Sequence, residues 1–389
     1  MFWQSIWISL NGGETMTLSN KERQNLVLEA KRFARKIGPL LKESPDRIES
    51  AKQLYAAFAK KYYHALLIPE HCGGKGLDYT SAGIAYETLS YHLPGSLHGP
   101  ITTAHCVEMI KSTNTDELKD TYLSDIARKR LAVGFCLTEN TAGSDISSIT
   151  TSAKKTPKGY VISGKKSIVL NHAIASLLII FATTSPEKGR AGINALVVDP
   201  QSPGVKISTP YQVEGLTGGV MGEVIFDKVL AEQHCLLGEE GSGYFLLMET
   251  LDKGRPLVAA NCTGSANRVF DIIVAYTKER QQFSKDLFSF QGVSLPLAEY
   301  ATRLSASRLL YLDALDRINA GQSFTMEASM AKLFASETLT GITSFGMDIL
   351  GYRGIVDSSV VKKIFQEAQL LKSIDGTGNV QKMVIASQL

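Results

Sequence analysis

The most informative stretch of the chain is Phe135-Cys136-Leu137-Thr138-Glu139-Asn140-Thr141-Ala142-Gly143-Ser144-Asp145. It begins as a short apolar strand and breaks into a polar turn carrying one glycine. Backbone amides beside Gly143 and the Ser144 hydroxyl can meet an oxygen-rich ligand there. The Thr138 hydroxyl can face a heteroaromatic edge. Taken alone, the stretch is equally a plain strand running into a turn, so its surroundings must settle the matter.

Upstream, residues 19–130 read as helical. Ser19 and Glu22 form a capping box, each side chain meeting a free amide at the helix start. Leu26, Ala30, Phe33, Ala34 and Ile37 then make one apolar stripe. Ala51 to Tyr62 and Thr80 to Tyr91 repeat the pattern, joined through the turn-rich Pro69–Gly76. Downstream, residues 131–240 hold short β-forming runs at Tyr160–Ser163, Leu177–Ala182, Ile193–Val198 and Glu223–Phe226. Gly and Pro punctuate them, which predicts a mostly antiparallel β domain. From Gly241 to Leu389 the period is helical again. Phe270, Ile273, Val274 and Thr277 share one face; Leu304, Ser307, Leu310 and Tyr311 share another. The more polar Leu333, Glu337, Thr340 and Ser344 read as a surface for a second subunit. Residues 1–18 read as an extension ahead of the fold, with Met16 standing before the first helix signal.

Composition narrows the function classes. The 389 residues are 44% apolar and 20% charged, with 41 basic against 38 acidic side chains. Disorder and a polyelectrolyte partner are both excluded, and no basic field suits nucleic acid. Ser167–Pro186 carries no charge, but its dense apolar part is only Leu177–Ala182, a buried strand rather than a membrane span. The five cysteines are scattered without C-x-x-C pairs, and neither they nor the seven histidines have metal-site spacing. The chain therefore reads as cytoplasmic, with reduced core thiols and no metal. His98 and His105 read as packing residues. Gly238–Gly243 reads as the joint from β domain to helix, since it lacks the strand–helix frame of a dinucleotide fingerprint.

Three further segments align with the first: Pro69-Glu70 with Gly73, Gly74 and Gly76; Arg280-Gln281-Gln282-Phe283 followed by Gln291; and Asp375-Gly376-Thr377-Gly378-Asn379-Val380-Gln381. In this order the chain resembles the acyl-CoA dehydrogenase family of flavoenzymes over residues 20–389. That resemblance implies an α+β fold: a helical N-terminal domain, an antiparallel middle domain and a C-terminal four-helix bundle. It implies noncovalent FAD and a homodimer or homotetramer. By the same resemblance Phe135, Leu137, Thr138, Gly143 and Ser144 lie along the flavin, as do Ile168 and Leu170. Arg280, Phe283 and Gln291 reach the FAD of a neighbouring subunit, Arg280 bringing a fixed charge suited to pyrophosphate. Asp348 and Gly351 lie near the adenosine end, and Thr377 with Asn379 in the closing loop. The resemblance also implies that Ser144, Asp252 and Arg255 contact the acyl thioester, with a plain salt bridge the equal alternative for Arg255.

The implied reaction removes an α-proton from an acyl thioester with a carboxylate while the β-hydrogen leaves as hydride to the flavin. The family commonly places Glu immediately before the Gly-Thr of the closing loop; here that position is Asp375, either the base or a helix N-cap. Aspartate withdraws the carboxylate by about one carbon–carbon bond, ~1.5 Å. The family's other base position, in a motif resembling L-D-x-E-R, reads Leu251-Asp252-Lys253-Gly254-Arg255, so that base is absent. Further departures are Ile168 for a flavin-contacting Trp, Leu170 for a Thr, and the glycine run Gly215–Gly222 for a polar stretch. These departures point away from mainstream fatty-acid oxidation and toward a small functionalised acyl unit in a biosynthetic pathway, on an acyl carrier protein rather than free CoA. An electron-accepting flavoprotein is the implied partner. Two rivals stand beside this reading: a flavin oxidase resembling the nitroalkane oxidases, which also use an aspartate base, and an inactive scaffold member.

Overall fold

The computed structural model describes residues 17–38, 46–113, 116–356 and 359–389; the N-terminal extension expected from the sequence, with Trp3 and Trp7, lies almost wholly outside them. Five helices come first: α1 (Asn20–Ile37), α2 (Arg47–Lys60), α3 (Tyr79–His92), α4 (His98–Lys111) and α5 (Asp116–Lys129). The capping box forms as the sequence predicts. Glu22 N–H donates to Ser19 Oγ at 3.4 Å, and Ser19 N–H donates to Glu22 Oε2 at 2.8 Å. Asp78 caps α3 and also holds the buried Arg23 of α1 at 3.3 Å, so one carboxylate fixes two helices.

The middle of the chain forms an eight-stranded sheet: β1 (Val133–Cys136), β2 (Ser152–Thr156), β3 (Gly159–Leu170), β4 (Leu177–Thr183), β5 (Ile193–Val198), β6 (Val205–Ile207), β7 (Met221–Glu232) and β8 (Leu236–Leu237). The order is β6-β7-β3-β2-β4-β5-β8, with β1 added against β4. Most pairings are antiparallel, as expected; β1 and β2 run parallel to β4. β4 explains the uncharged run. Ile179 and Phe181 face one apolar core, while Leu178, Ile180 and Ala182 face another, so both faces of the strand are buried.

The remainder is helical: α6 (Gly243–Glu279), a small hairpin of β9 (Gln281–Gln282) and β10 (Lys285–Asp286), then α7 (Gln291–Asn319), α8 (Thr325–Leu350), α9 (Tyr352–Ile355), α10 (Val360–Ser373) and α11 (Gly378–Ala386). α6, α7, α8 and α10 pack as a bundle, and α3 and α4 lean on α6. Ile273, Thr277, Leu304, Ser307 and Tyr311 are buried as their spacing predicts. The polar stripe on α8 has a neighbour within the chain. Its first half lies against α11 of the same chain, where Lys382 reaches Glu337 at 3.8 Å and Gly378 faces Leu333. Among the described residues no helix is long and apolar enough to cross a membrane. All five cysteines are free, four of them buried.

Candidate active site

The Phe135–Asp145 segment is anchored from beneath and open above. Phe135 turns its ring edge onto Phe181, 5.7 Å away between centroids, and Leu137 joins the same core. Thr138 pairs across to Ile168 at the edge of β3, with Ser167 N–H donating to Thr138 O at 2.8 Å. Ile168 is 46% exposed, an apolar side chain facing outward beside the Thr138 backbone. Glu139 is the anchor. It accepts from Lys166 Nζ at 2.7 Å and from the Thr150 and Thr151 amides at 2.7 and 3.0 Å. Lys166 also donates to Leu137 O at 3.0 Å. Burial works to raise the Glu139 carboxyl, but the Lys166 and threonine bonds outweigh it and hold it at about 2. Beyond this anchor the turn stands clear. Ser144 is exposed, and a Cβ at Gly143 would meet nothing within 4 Å. The chain's own packing leaves that glycine unexplained; a ligand approaching the backbone there would account for it.

Asp375 lies in the loop between α10 and α11, at a φ of 52°, in the left-handed region that Asp tolerates better than most residues. It is not the helix cap that its position before Gly-Thr allows. Thr377 takes that role, accepting from Val380 N–H at 3.5 Å. The loop is tied down by its carbonyls instead. Buried Lys332 of α8 donates to Gly376 O at 2.6 Å and to Lys372 O at 3.0 Å, while buried Gln381 donates to Asp375 O at 2.9 Å and Gly376 O at 3.0 Å. Burial lowers the Lys332 pKa, against which the nearby Asp375 charge pulls upward.

The Asp375 side chain is 13% exposed, and its Oδ2 lies 3.3 Å from Nε2 of His105, which is 8% exposed. Neither atom has a hydrogen-bond partner among the described residues. His105 comes from the seventh position beyond His98 on α4, and the imidazole has room only because residue 254 of α6 is glycine. A Cβ at Gly254 would fall 1.8 Å from His105 Nε2. The next residue of α6, Arg255, is ion-paired to Asp252 and donates to Ser329 Oγ at 3.1 Å, and its buried Nε has no partner among the described residues. Asp252 also accepts from Thr325 at 2.8 Å. Burial raises the Asp252 carboxyl and lowers the Arg255 guanidinium, and the Asp375 charge opposes the latter.

His98 has a matching partner. Its Nε2 is 3.3 Å from Glu367 Oε1 of α10, both side chains 1% exposed. The glycine run covers this pair: Gly215 packs onto the Glu367 backbone, and Gly218 onto Ser96 just ahead of α4. Glu367 and Lys332 carried no sequence signal, and His105 read only as a packing residue. The available signal was the glycine at position 254, where a side chain was expected.

The remaining sequence candidates lie on the surface of the helical region. Arg280 ends α6, Gln291 opens α7, Asp348 and Gly351 lie where α8 gives way to α9, and Asn379 is in the first turn of α11; all are exposed. Phe283 sits in the β9–β10 turn, 89% exposed with a φ of 53°. Leu170 is half-buried at the end of β3. The sequence suggested no metal spacing, yet ligand atoms of His71, Cys72 and Asp120 lie within 4.8 Å of one another at the surface, where Cys72 donates to Asp120.

Domain families described as acyl-CoA dehydrogenase N-terminal, middle and C-terminal domains match residues 20–130, 134–229 and 241–389. The chain belongs to the acyl-CoA dehydrogenase family. It is an oxidoreductase, and its cofactor is FAD. The open turn at Gly143, the outward Ile168 and the Thr138 edge fit a flavin. The chain is 30% identical over 379 residues to the 3-(aryl)acrylate reductase of Clostridium sporogenes, covering 95% of this chain and 98% of that one. Its fold matches butyryl-CoA dehydrogenase from Megasphaera elsdenii with a TM-score of 0.87 at 28% identity, covering 98% and 99% of the two chains. A prolyl acyl carrier protein oxidase, AnaB, matches with a TM-score of 0.87 at 26% identity, over 95% and 99%.

Proposed function

We propose that this protein is an FAD-dependent acyl-thioester dehydrogenase acting on a small functionalised acyl unit, carrier-bound in preference to CoA-bound, with Asp375 as its base. The observation that carries the reading is the Asp375 carboxylate itself. It is mostly buried, on a loop whose carbonyls are held by Lys332 and Gln381, and it is not consumed in capping a helix. Bound FAD supplies the hydride acceptor. Asp375 takes the α-proton, a transfer that a partly desolvated carboxylate performs better than a solvated one. Thr138, Gly143, Ser144, Ile168 and Leu170 hold the flavin, and Phe135 and Leu137 support it from the core. Arg280, Phe283, Gln291, Asp348, Gly351, Thr377 and Asn379 serve FAD across a subunit boundary and at the closing loop. An 89% exposed Phe283 ring on a strained turn supports a second chain covering it. Asp252 and Arg255, with Ser144, face the thioester. An electron-transfer flavoprotein reoxidises the enzyme in the cytoplasm.

The test is anaerobic bleaching of the flavin band by a panel of CoA and carrier-protein thioesters. The Asp375→Asn variant is expected to keep its FAD and to lose flavin reduction by more than a thousandfold. Reduction persisting in that variant would overturn Asp375 as base. Peroxide release on mixing with nitroethane in air would favour the oxidase reading instead.

A further inference from the structure

We infer that His105 is a positioning residue for the Asp375 carboxylate, admitted to the site by the missing side chain at Gly254. The inference rests on Asp375 being the base. Three elements meet at one point: α4 carries the imidazole, α6 leaves a gap for it, and the α10–α11 loop brings the carboxylate to 3.3 Å from Nε2. The gap is specific. A Cβ at 254 would overlap Nε2 at 1.8 Å and Cδ2 at 2.2 Å, so any other residue there displaces the ring.

A carboxylate has two equivalent oxygens and a terminal torsion with a broad minimum, and aspartate must deliver one oxygen to the acyl α-carbon. Nε2–H held against Oδ2 fixes that torsion and leaves Oδ1 for the proton. The shorter side chain makes this more valuable, because reach lost to the missing methylene cannot be recovered by swinging. Nε2 and Oδ2 touch without completing a hydrogen bond, and neither has another partner among the described residues. Catalytic hydrogen bonds of this kind commonly tighten only when substrate is bound.

The charged groups around the pair are Arg255 with Asp252 on α6 and Lys332 on α8. On α4 itself Glu108 is engaged by Lys111 at 2.9 Å and by Lys253 at 3.8 Å. Arg255 and Lys332 bring positive charge to the same place, and the imidazole adds a donor aimed at one oxygen. Hydrogen bonds to a carboxylate favour its charged form, so removing this donor is expected to move the acid limb of the reaction to higher pH.

Two measurements test this. In ¹⁵N-histidine NMR of the FAD-loaded protein, Asp375→Asn should lower the His105 titration midpoint by half a unit or more, since a neighbouring carboxylate favours imidazolium. Glu367→Gln should leave it in place. In anaerobic flavin reduction with the fastest thioester of the panel, His105→Leu should cost at least tenfold and shift the acid limb upward by about one unit. His105→Gln, which keeps an N–H near the Nε2 position, should recover most of both, with FAD content equal in all variants. If His105→Leu does not fold, Gly254→Ala should produce the same pH shift by pushing the ring away. An unmoved His105 titration, or Leu and Gln variants with the same profile, would overturn the inference. An active Asp375→Asn enzyme would instead overturn the base assignment beneath it.

Discussion

α4 presents two histidines to two carboxylates at the same separation, 3.3 Å, yet the two pairs are built for different ends. His98–Glu367 is closed on all sides, with the Gly215–Gly219 backbone laid over it and α10 behind it. In the His105–Asp375 pair the carboxylate comes from a loop rather than a helix, and the pair retains some solvent exposure and faces a gap in α6. A sealed ionisable pair can only fix two elements to one another, and it is a poor source of net stability because desolvation consumes most of the attraction. A pair left partly open gives up that fixing role and, on the proposed assignment of Asp375 as base, keeps a proton acceptor within reach of a ligand. On that assignment position in the fold, not residue type or distance, separates structural from chemical use of the same two groups.

The comparison can be broken most directly at the sealed pair. Glu367→Ala should destabilise the protein by about 3 kcal/mol in urea unfolding, while the flavin reduction rate of the folded fraction stays within twofold. A lost rate with unchanged stability would reverse the assignment of the two pairs. Glu139 offers a second sealed carboxylate. Its folded pKa, about 2, lies below the ordinary 4.5, so its contribution to stability is present above pH 4.5 and disappears as pH falls toward 2. Glu139→Gln should flatten unfolding midpoints measured across that window and lower the plateau above it, because Lys166 is left buried without its carboxylate. The smallest effect belongs to the open pair: Asp375→Asn should shift stability by no more than about 1 kcal/mol, since Asn also tolerates the left-handed backbone. A larger loss would place Asp375 among the structural carboxylates.

Much of this was legible in the sequence. The Ser19/Glu22 box, the alternation of helical and β-forming stretches, and the buried β4 are local or periodic signals, and the fold follows them. The Asp375 loop could be located by its Gly-Thr, but the sequence could not say that Thr377 would cap α11 and leave the aspartate free; both are ordinary caps, and only the helix start separates them. The polar stripe Leu333–Ser344 was ambiguous because a half-polar face fits a neighbouring helix as well as a second subunit, and the α11 residues against its first half lie 45 residues further along. His105 read as a packing residue, and its partners stayed hidden for the same reason at larger scale. Nothing near it in sequence names Gly254 or Asp375 as its neighbours, and the signal lay in an absence, a glycine inside a long helix where one was not needed for a turn.

That glycine also constrains how the site can change over generations. A glutamate at position 254, the alternative base placement within the family, would enter a space already filled by the His105 ring. The same substitution made after His105 has become glycine would find that space vacant. Whether a mutation at 254 is damaging or accommodated is thus set by the residue on α4. On the proposed assignment of Asp375 as base, the two base placements are separated by a step that neither substitution crosses alone, an epistatic barrier built from a single missing side chain.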